Sequence, residues 1–177
     1  MEITEITTDD FRLFWPTFKA VVKARETYAF DPDIGYEDAY RLWCELPQFT
    51  FIAKENAEVL GSYYLKPNAA GPGAHVCNCG YMVAPEARGR GIARAMCLHS
   101  QDVAIEAGYL AMQFNAVVST NEGAIKLWKS LGYEIIGTVP RGYDHARLGL
   151  VDTYIMYKWL GAYLPQGMKQ ASGRTEN

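Results

Sequence analysis

The sequence lacks any apolar run long enough to cross a bilayer, since a spanning helix needs about 20 consecutive apolar residues. Its N-terminus is acidic and has neither the basic nor the apolar region of a secretory signal peptide. These absences predict a cytoplasmic protein with no membrane partner. An excess of one charge is also missing: the formal net charge is -3, which gives no electrostatic reason to expect nucleic acid as a partner.

Cysteine is sparse, with 4 residues in 177, so a disulfide scaffold is not expected. Cys77 and Cys79 project from one face of a predicted strand. They would stand roughly 6.8 Å apart with parallel side chains, which is poor disulfide geometry. No second cysteine pair or histidine cluster completes a set of metal ligands. We therefore predict buried free thiols and no metal site.

The composition that is present is ordinary for a globular protein, with 49% hydrophobic and 21% charged residues. No repeat, low-complexity tract or linker interrupts it. We predict one domain over residues 1–160 and a polar C-terminal tail over residues 161–177. The predicted order is one strand, two helices, three strands, a helix, a strand, a helix and two strands. Such an order indicates a mixed sheet with crossover helices, an α+β fold.

Proline and glycine set several predicted boundaries. The first helix is expected to continue to about Arg25 despite Pro16, which would kink it or break it in two. A second helix is predicted over Tyr36–Glu45. Near the C-terminus we expect a strand, a loop and a last strand, over Tyr133–Val139, Pro140–Gly149 and Asp152–Trp159 respectively.

The most informative segment is a basic, glycine-containing loop between a predicted strand, Val76–Val83, and a helix expected to begin near Gly89. Glycines there let the backbone approach an anion, and the free N–H groups and dipole of a helix start favour negative charge. Three arginines can add charge-assisted hydrogen bonds: Arg88, Arg90 and Arg94. The loop is neither a Rossmann fingerprint nor a P-loop, because the third glycine and the Gly-Lys-Ser/Thr run are missing. We predict a phosphate site; the alternative is an ordinary strand–turn–helix with a solvated basic start.

The pattern Arg88-x-x-Gly91-x-Ala93 resembles the pyrophosphate loop of the GNAT superfamily of acetyl-CoA-dependent N-acetyltransferases. A second block downstream is similar to the other signature of that superfamily, Asn-x-x-Ala-x-x-Leu-Tyr-x-x-x-Gly-Phe. The residues that match it are Asn121, Ala124, Leu127, Gly132 and Tyr133. The resemblance covers residues 78–133 as motif and residues 2–158 as topology.

This resemblance implies a GNAT fold, with a splayed central sheet of about seven strands and helices on both faces. The strands ending at Val83 and beginning near Leu110 would part to admit the pantetheine arm of acetyl-CoA, which is the implied co-substrate. The residues implied to hold it are Met82, Val83, Arg88, Gly89, Arg90, Gly91, Ile92, Ala93, Arg94, Asn121 and Trp128. Asn121 also has the residue type and position of a helix N-cap, and a carboxamide can serve both roles.

Trp128 departs from the family pattern, which commonly has a tyrosine there as the proposed acid for the leaving thiolate. An indole cannot supply that proton. A thiol with a pKa of about 8.5 leaves tolerably near neutral pH without a strong acid, so catalysis need not be lost. Trp128 also continues the apolar stripe of its predicted helix, which favours a core role.

Asn78 and Asn115 each interrupt a predicted central strand that should be buried. A buried carboxamide needs partners, so each is either a satisfied core residue or a ligand-binding residue. The pair resembles a GNAT branch that acetylates small imino acids such as proline analogues, in which strand asparagines hold the acceptor. Glu26, between the first two helices, is a candidate proton acceptor; the alternative is a solvated loop acid.

The function expected from these residues is direct transfer of an acetyl group to the amine of a small molecule, an amino or imino acid. Two alternatives remain open at this point. One is a catalytically degenerate module that binds or senses acetyl-CoA, which Trp128 favours. The other is acetylation of peptides or proteins, which the acidic overall balance would suit. The sequence is also compatible with a homodimer.

Overall fold

The computed structural model describes residues 1–161 and contains a single seven-stranded sheet within that range. The strands are β1 (Glu2–Glu5), β2 (Phe49–Glu55), β3 (Glu58–Pro67), β4 (Val76–Val83), β5 (Ala111–Val118), β6 (Glu134–His145) and β7 (Gly149–Trp159). The helices are α1 (Thr8–Ala24), α2 (Tyr36–Tyr40), α3 (Ile92–Glu106) and α4 (Glu122–Ser130). The tail predicted over residues 161–177 lies outside the described residues, apart from Gly161.

The strands lie in the order β1-β2-β3-β4-β5-β7-β6, and every neighbouring pair is antiparallel except β4 and β5. The parallel pair holds together over only three rungs, and the last of them joins Asn78 to Gln113. Beyond that rung β4 continues for five residues, to Val83, with no partner on the β5 side. The expected mixed, splayed sheet is therefore confirmed, and the gap opens towards the carboxyl end of β4.

Helices cover both faces of the sheet, as expected. On one face, Phe11, Phe14 and Phe18 of α1 pack with Trp43 into an aromatic cluster. On the other, Met96 of α3 and Trp128 of α4 lie in a second, larger core. Residues that alternate along a strand point to opposite faces, so β2, β3 and β4 supply both cores.

The first two helices differ in detail from the sequence-based expectation. α1 begins with a capping box between Thr7 and Asp10 and runs unbroken through Pro16, so the predicted break is wrong. Proline has no N–H, so Pro16 leaves the carbonyl of Arg12 without its helical hydrogen-bond donor. Both residues are exposed, so water can solvate that carbonyl. The predicted helix Tyr36–Glu45 has the expected extent, but Arg41–Glu45 is a π-helical turn.

The C-terminal hairpin is longer than predicted. The stretch expected as a loop, Pro140–Gly149, instead contains the last part of β6 and the tight turn into β7. Tyr143 pairs with Val151, and His145 pairs with Gly149. A register shift between Val139 and Tyr143 absorbs Pro140 and Gly142, which lie in an edge strand where a missing N–H is tolerated.

Candidate active site

The gap between β4 and β5 opens into a cavity of about 1210 Å³. One wall, which we call the loop side, is formed by residues 87–89, residues 91–94 and α4 residues such as Trp128. The opposite wall, the hairpin side, is formed by residues 26–30, residues 64–68 and the turn of the β6–β7 hairpin at residues 145–148. The residues that the sequence singled out, apart from Arg90, are thus brought to a single cavity from both halves of the chain.

On the loop side, backbone conformation creates a row of amide donors. Gly89 and Gly91 adopt φ angles of 78° and 79°, which an L side chain rarely tolerates. The first helical hydrogen bond of α3 runs from the N–H of Ala95 to the carbonyl of Gly91, at 3.0 Å. The amides of residues 92–94 therefore have no partner inside the helix, and all three residues line the cavity. This geometry suits an anion such as a pyrophosphate.

The three arginines of the loop do not share one role. Arg88 and Arg94 line the cavity, and Arg94 also donates to the hydroxyl of Ser130 at 3.2 Å. Arg90 instead forms a 2.7 Å ion pair with Glu55 and is not among the residues lining the cavity. The geometry thus brings two of the three predicted arginine side chains to the site and directs the third to the β2–β3 hairpin.

The backbone of β4 also presents donors to the gap. The N–H of Ala84 donates to the carbonyl of Leu60 in β3, at 2.9 Å. Because backbone groups alternate in direction along a strand, the N–H groups of Tyr81 and Val83 point the other way, towards β5. There the ladder has already ended, so these two amides face the gap. Met82, which points to the α1 face, is buried and also lines the cavity.

The second sequence block, which begins at Asn121, supplies the part of the loop side that comes from α4. The Oδ1 of Asn121 accepts from the N–H of Ala124 at 3.3 Å, which confirms it as the N-cap of α4 and leaves its amide N–H groups free of that bond. Trp128 is buried against Tyr81 and Phe114, with ring centroids 5.1 Å and 5.2 Å away, and also borders the cavity. The predicted core packing of Trp128 is confirmed.

Aromatic residues dominate the hairpin side. Tyr28 donates to the carbonyl of Tyr81 at 2.8 Å, and Tyr64 donates to the Oδ1 of Asn78 at 3.3 Å. Burial raises the pKa of Tyr28 well above its ordinary value, and the nearby Tyr64 adds to the rise. Burial, followed by the neighbouring Cys79, raises the pKa of Tyr64 to about 12. Both phenols are therefore protonated at neutral pH and act as hydrogen-bond donors.

The two strand asparagines lie on this side but differ in burial. Asn78 is buried, and its amide donates to the carbonyl of Gln113 at 2.9 Å, beside the last rung of the parallel pair. Asn115 is exposed, so its expected burial is wrong: it lies in a bulge of β5 between Phe114 and Val117 and faces the open cavity. It donates to the Oδ1 of Asn68 at 2.7 Å. Both asparagines line the cavity, so their predicted role in binding an acceptor stays a prediction.

The hairpin turn is tied to the segment after α1. The N–H of Ala146 donates to the carbonyl of Arg25 at 3.0 Å, and the hydroxyl of Tyr143 donates to the carbonyl of Tyr28 at 3.0 Å. At the mouth of the cavity, Glu26 and Arg147 form a 2.8 Å ion pair. The turn therefore closes one wall of the cavity.

No cluster of three histidine, cysteine or acidic side chains in the described part of the chain could hold a metal ion. Within the same residues, no helix is long and apolar enough to span a membrane.

The comparisons with known proteins agree with this geometry. The model of the acetyltransferase (GNAT) family matches residues 5–133, nearly three quarters of the chain. The chain belongs to the GNAT acetyltransferase family. A GCN5-related N-acetyltransferase from Kribbella flavida is 43% identical, with a TM-score of 0.85 over 89% of this chain and 96% of that one.

Two further relatives are less complete or more distant. The N-acetyltransferase aca1 of Schizosaccharomyces pombe is 37% identical over 101 residues, which cover 55% of this chain and 47% of that protein. The chain thus matches about half the length of that curated relative. The yncA protein of Salmonella typhimurium, solved with its cofactor acetyl-CoA, is 20% identical, with a TM-score of 0.76 over 90% of this chain and 94% of that one. At this identity the likeness is one of fold.

Sequence reasoning missed most of the hairpin side of this GNAT chain. Tyr64, Lys66 and Arg147 line the cavity without belonging to any motif. The family match ends at Tyr133, before the hairpin begins. The sequence singled out Glu26, Asn78 and Asn115 on this wall, and it gave no indication of what would face them.

Proposed function

We propose that the protein transfers the acetyl group of acetyl-CoA directly to the amine of a small molecule, an amino or imino acid. The observation that carries the proposal is the cavity itself, which joins a row of backbone donors at the start of α3 to a polar, aromatic wall across the gap between β4 and β5. One wall suits a phosphate-bearing carrier and the other a small amine.

The loop side fits acetyl-CoA in both charge and shape. The free amides of residues 92–94 and the guanidinium groups of Arg88 and Arg94 favour the pyrophosphate. A side chain built at Gly89 or Gly91 would meet no protein atom within 4 Å, so the space in front of both glycines is open. The N–H groups of Tyr81 and Val83 would hold the extended arm in the gap, as an added strand is held.

The hairpin side fits a small acceptor better than a long peptide. Its polar groups include carboxamides, which can bind both a carboxylate and an amine, and the tight hairpin turn closes one wall. Asn115 is exposed to the cavity and Asn78 lies beside the point where the strands part. Both are proposed to contact the acceptor or a water bound to it.

Acetyl-CoA supplies an acetyl group already activated as a thioester. The amine nitrogen bonds to the acetyl carbon, the carbon–sulfur bond breaks, and the products are the N-acetylated acceptor and CoA. The chain must place the amine, exclude bulk water and accept the proton that the ammonium form loses. Glu26 is the proposed proton acceptor, directly or through a water.

A module that binds acetyl-CoA without turnover is the second candidate, and one observation favours it. The indole of Trp128 cannot supply a proton to the leaving sulfur. The two phenols next to it, those of Tyr81 and Tyr133, are directed elsewhere. Tyr81 contacts the hydroxyl of Ser100 at 2.7 Å, and Tyr133 contacts the sulfur of Met112 at 2.8 Å. Solvent would then have to protonate the thiolate.

Release of CoA in the presence of a panel of acceptors tests the proposal. The panel should hold amino acids, imino acids, polyamines, aminoglycosides and short peptides, each offered at the same concentration with acetyl-CoA. We expect thiol release above the hydrolysis background with one or more small amino or imino acids. Release only with peptides would contradict the acceptor class, and tight acetyl-CoA binding with no release on any acceptor would favour the sensing module.

A further inference from the structure

A single carboxylate faces the cavity among the described residues that line it, and it is already paired. That carboxylate is Glu26, two residues beyond the end of α1, and its Oε1 lies 2.8 Å from a guanidinium nitrogen of Arg147 in the hairpin turn. Both partners line the cavity. The carboxylate therefore meets an ammonium group of an acceptor only after the guanidinium of Arg147 has moved away.

Other ionisable side chains that line the hairpin side include Tyr28, Tyr64 and His145. Tyr28 and Tyr64 keep their protons, as burial raises the pKa of both phenols. The Nδ1 of His145 accepts from the backbone N–H of Arg147 at 3.2 Å, so the ring proton lies on Nε2. The hydroxyl protons of Tyr28 and Tyr64 are already donated, to the carbonyl of Tyr81 and to the Oδ1 of Asn78. Of these side chains and Glu26, only the carboxylate of Glu26 is left as a proton acceptor.

The ion pair is built so that it can open. The side chain of Arg147 is 76% exposed and that of Glu26 is 40% exposed, and exposed pairs of this kind contribute little to folded-state stability. The backbone on both sides is held independently, by the bond from Ala146 to Arg25 and by the 2.7 Å ion pair between Arg25 and Asp144. The Arg147 side chain can thus change partner while its backbone stays in place.

We propose that the Glu26–Arg147 pair occupies the site of a zwitterionic acceptor, and that Arg147 reads the carboxylate of that acceptor. An α-amino or α-imino acid carries both charges of the pair on adjacent groups. Its carboxylate replaces Glu26 on the guanidinium of Arg147, in the bidentate geometry that arginine favours. Its ammonium replaces Arg147 on Glu26. This inference rests on the function proposed above and names the group that selects the acceptor.

This exchange of ion-pair partners also links recognition of the acceptor's carboxylate to removal of a proton from its ammonium group. Once Arg147 has turned to the acceptor carboxylate, Glu26 contacts the ammonium and takes one of its protons, which leaves a neutral amine. The amine forms the carbon–nitrogen bond as the carbon–sulfur bond breaks, and the second nitrogen proton passes to the thiolate, directly or through water, to give the thiol of CoA. The first proton passes from Glu26 to solvent after the product leaves. An amine without a carboxylate leaves Glu26 paired with Arg147 and is a poor substrate on that account.

The test compares each acceptor with its own carboxamide. For the best acceptor of the panel, the ratio of kcat/KM for the free acid to kcat/KM for the amide is expected to be about 10-fold or more. In Arg147→Gln that ratio should fall to near one. Glu26→Gln should lower kcat for the acid while the preference for acid over amide persists. A variant that only disturbs the fold would lower both rates and leave the ratio unchanged.

Arg12→Gln is the matched control, since it removes a 2.8 Å exposed ion pair with Asp9 that lies outside the cavity. It should leave the ratio at the parent value. If Arg147→Gln keeps the preference, or if Lys66→Gln is the variant that abolishes it, Arg147 does not read the carboxylate and the inference is overturned. Absence of acetylation of any acceptor by the parent would instead refute the proposed function, so the two failures are distinguishable.

Discussion

The two walls of the cavity are made in different ways. The loop side is built mainly on one short stretch of chain between residues 87 and 94, where two glycines in the left-handed conformation leave backbone amides open to the cavity. The hairpin side takes side chains from segments up to about 120 residues apart, such as Glu26 and Arg147. A backbone site tolerates changes in most side chains, whereas a side-chain site changes specificity with each substitution. The comparison explains how a family can keep one carrier while its acceptors vary.

The largest expected effect is on stability and falls on the loop side. Trp128→Ala removes a buried ring that packs on Tyr81 and Phe114, and the free energy of unfolding should fall by about 3–5 kcal/mol. Denaturant unfolding measures it. The control is Trp159→Ala, because Trp159 is 52% exposed and should cost far less. Equal stability of Trp128→Ala and the parent would refute the core role.

A conservative substitution, Trp128→Tyr, separates the packing role of the ring from a role in turnover. The smaller aromatic residue should keep the fold, and its hydroxyl places a proton donor at position 128. Turnover should be similar to that of the parent or higher, measured as the rate of CoA release. A large loss of turnover in a well-folded Trp128→Tyr protein would show that the indole itself is needed at the site.

The next effect is on carrier binding. Gly91→Glu places bulk and negative charge where residues 92–94 present their amides, and acetyl-CoA affinity measured by calorimetry should fall by about 100-fold or more. Gly91 has a φ of 79°, so the substitution also strains the backbone. Gly108→Glu is the control, because Gly108 has a φ of 86° and equally open surroundings but lies at the other end of α3. If Gly91→Glu bound acetyl-CoA as tightly as the parent, the loop would not be the site of the pyrophosphate.

The smallest expected effect is on the hairpin side. Asn115→Ala should lower kcat/KM for the acceptor several-fold, since one neutral contact is worth about 0.5–1.5 kcal/mol, and acetyl-CoA affinity should barely change. Asn115 is exposed, so its removal should not alter the melting temperature. Gln113→Ala is the control, because Gln113 donates to Asn115 at 2.8 Å but does not line the cavity.

Asn78→Ala should slow acetylation by a similar factor but also destabilise the fold. Asn78 is buried and its amide bonds to the carbonyl of Gln113, which would be left without that donor. Unfolding and kinetics must therefore be measured on the same preparation. Parent kinetics in both folded asparagine variants would mean that these residues are structural, and the acceptor site would have to be placed elsewhere.

The sequence predicted the loop side well because its information is local. Gly91 needs a positive φ, Asn121 caps α4, and both requirements can be read from a few neighbouring residues. It predicted Arg90 less well, because the pairing of Arg90 with Glu55 joins segments that are distant in the chain. The burial of Asn115 failed for a related reason: a bulge in β5 changes which residues face the core, and no residue type in that strand marks it.

The sequence by itself determined the order of the elements and the glycine-containing turn before α3, because periodicity, turn residues and caps act over a few positions. The family followed from the resemblance of two motifs to known ones. Only the tertiary structure decided the length of the β6–β7 hairpin, where edge pairing overrode Pro140 and Gly142. It alone brought Arg147 onto Glu26 at 2.8 Å. Such a contact depends on how two segments pack against each other, and nothing in either segment encodes the identity of the other.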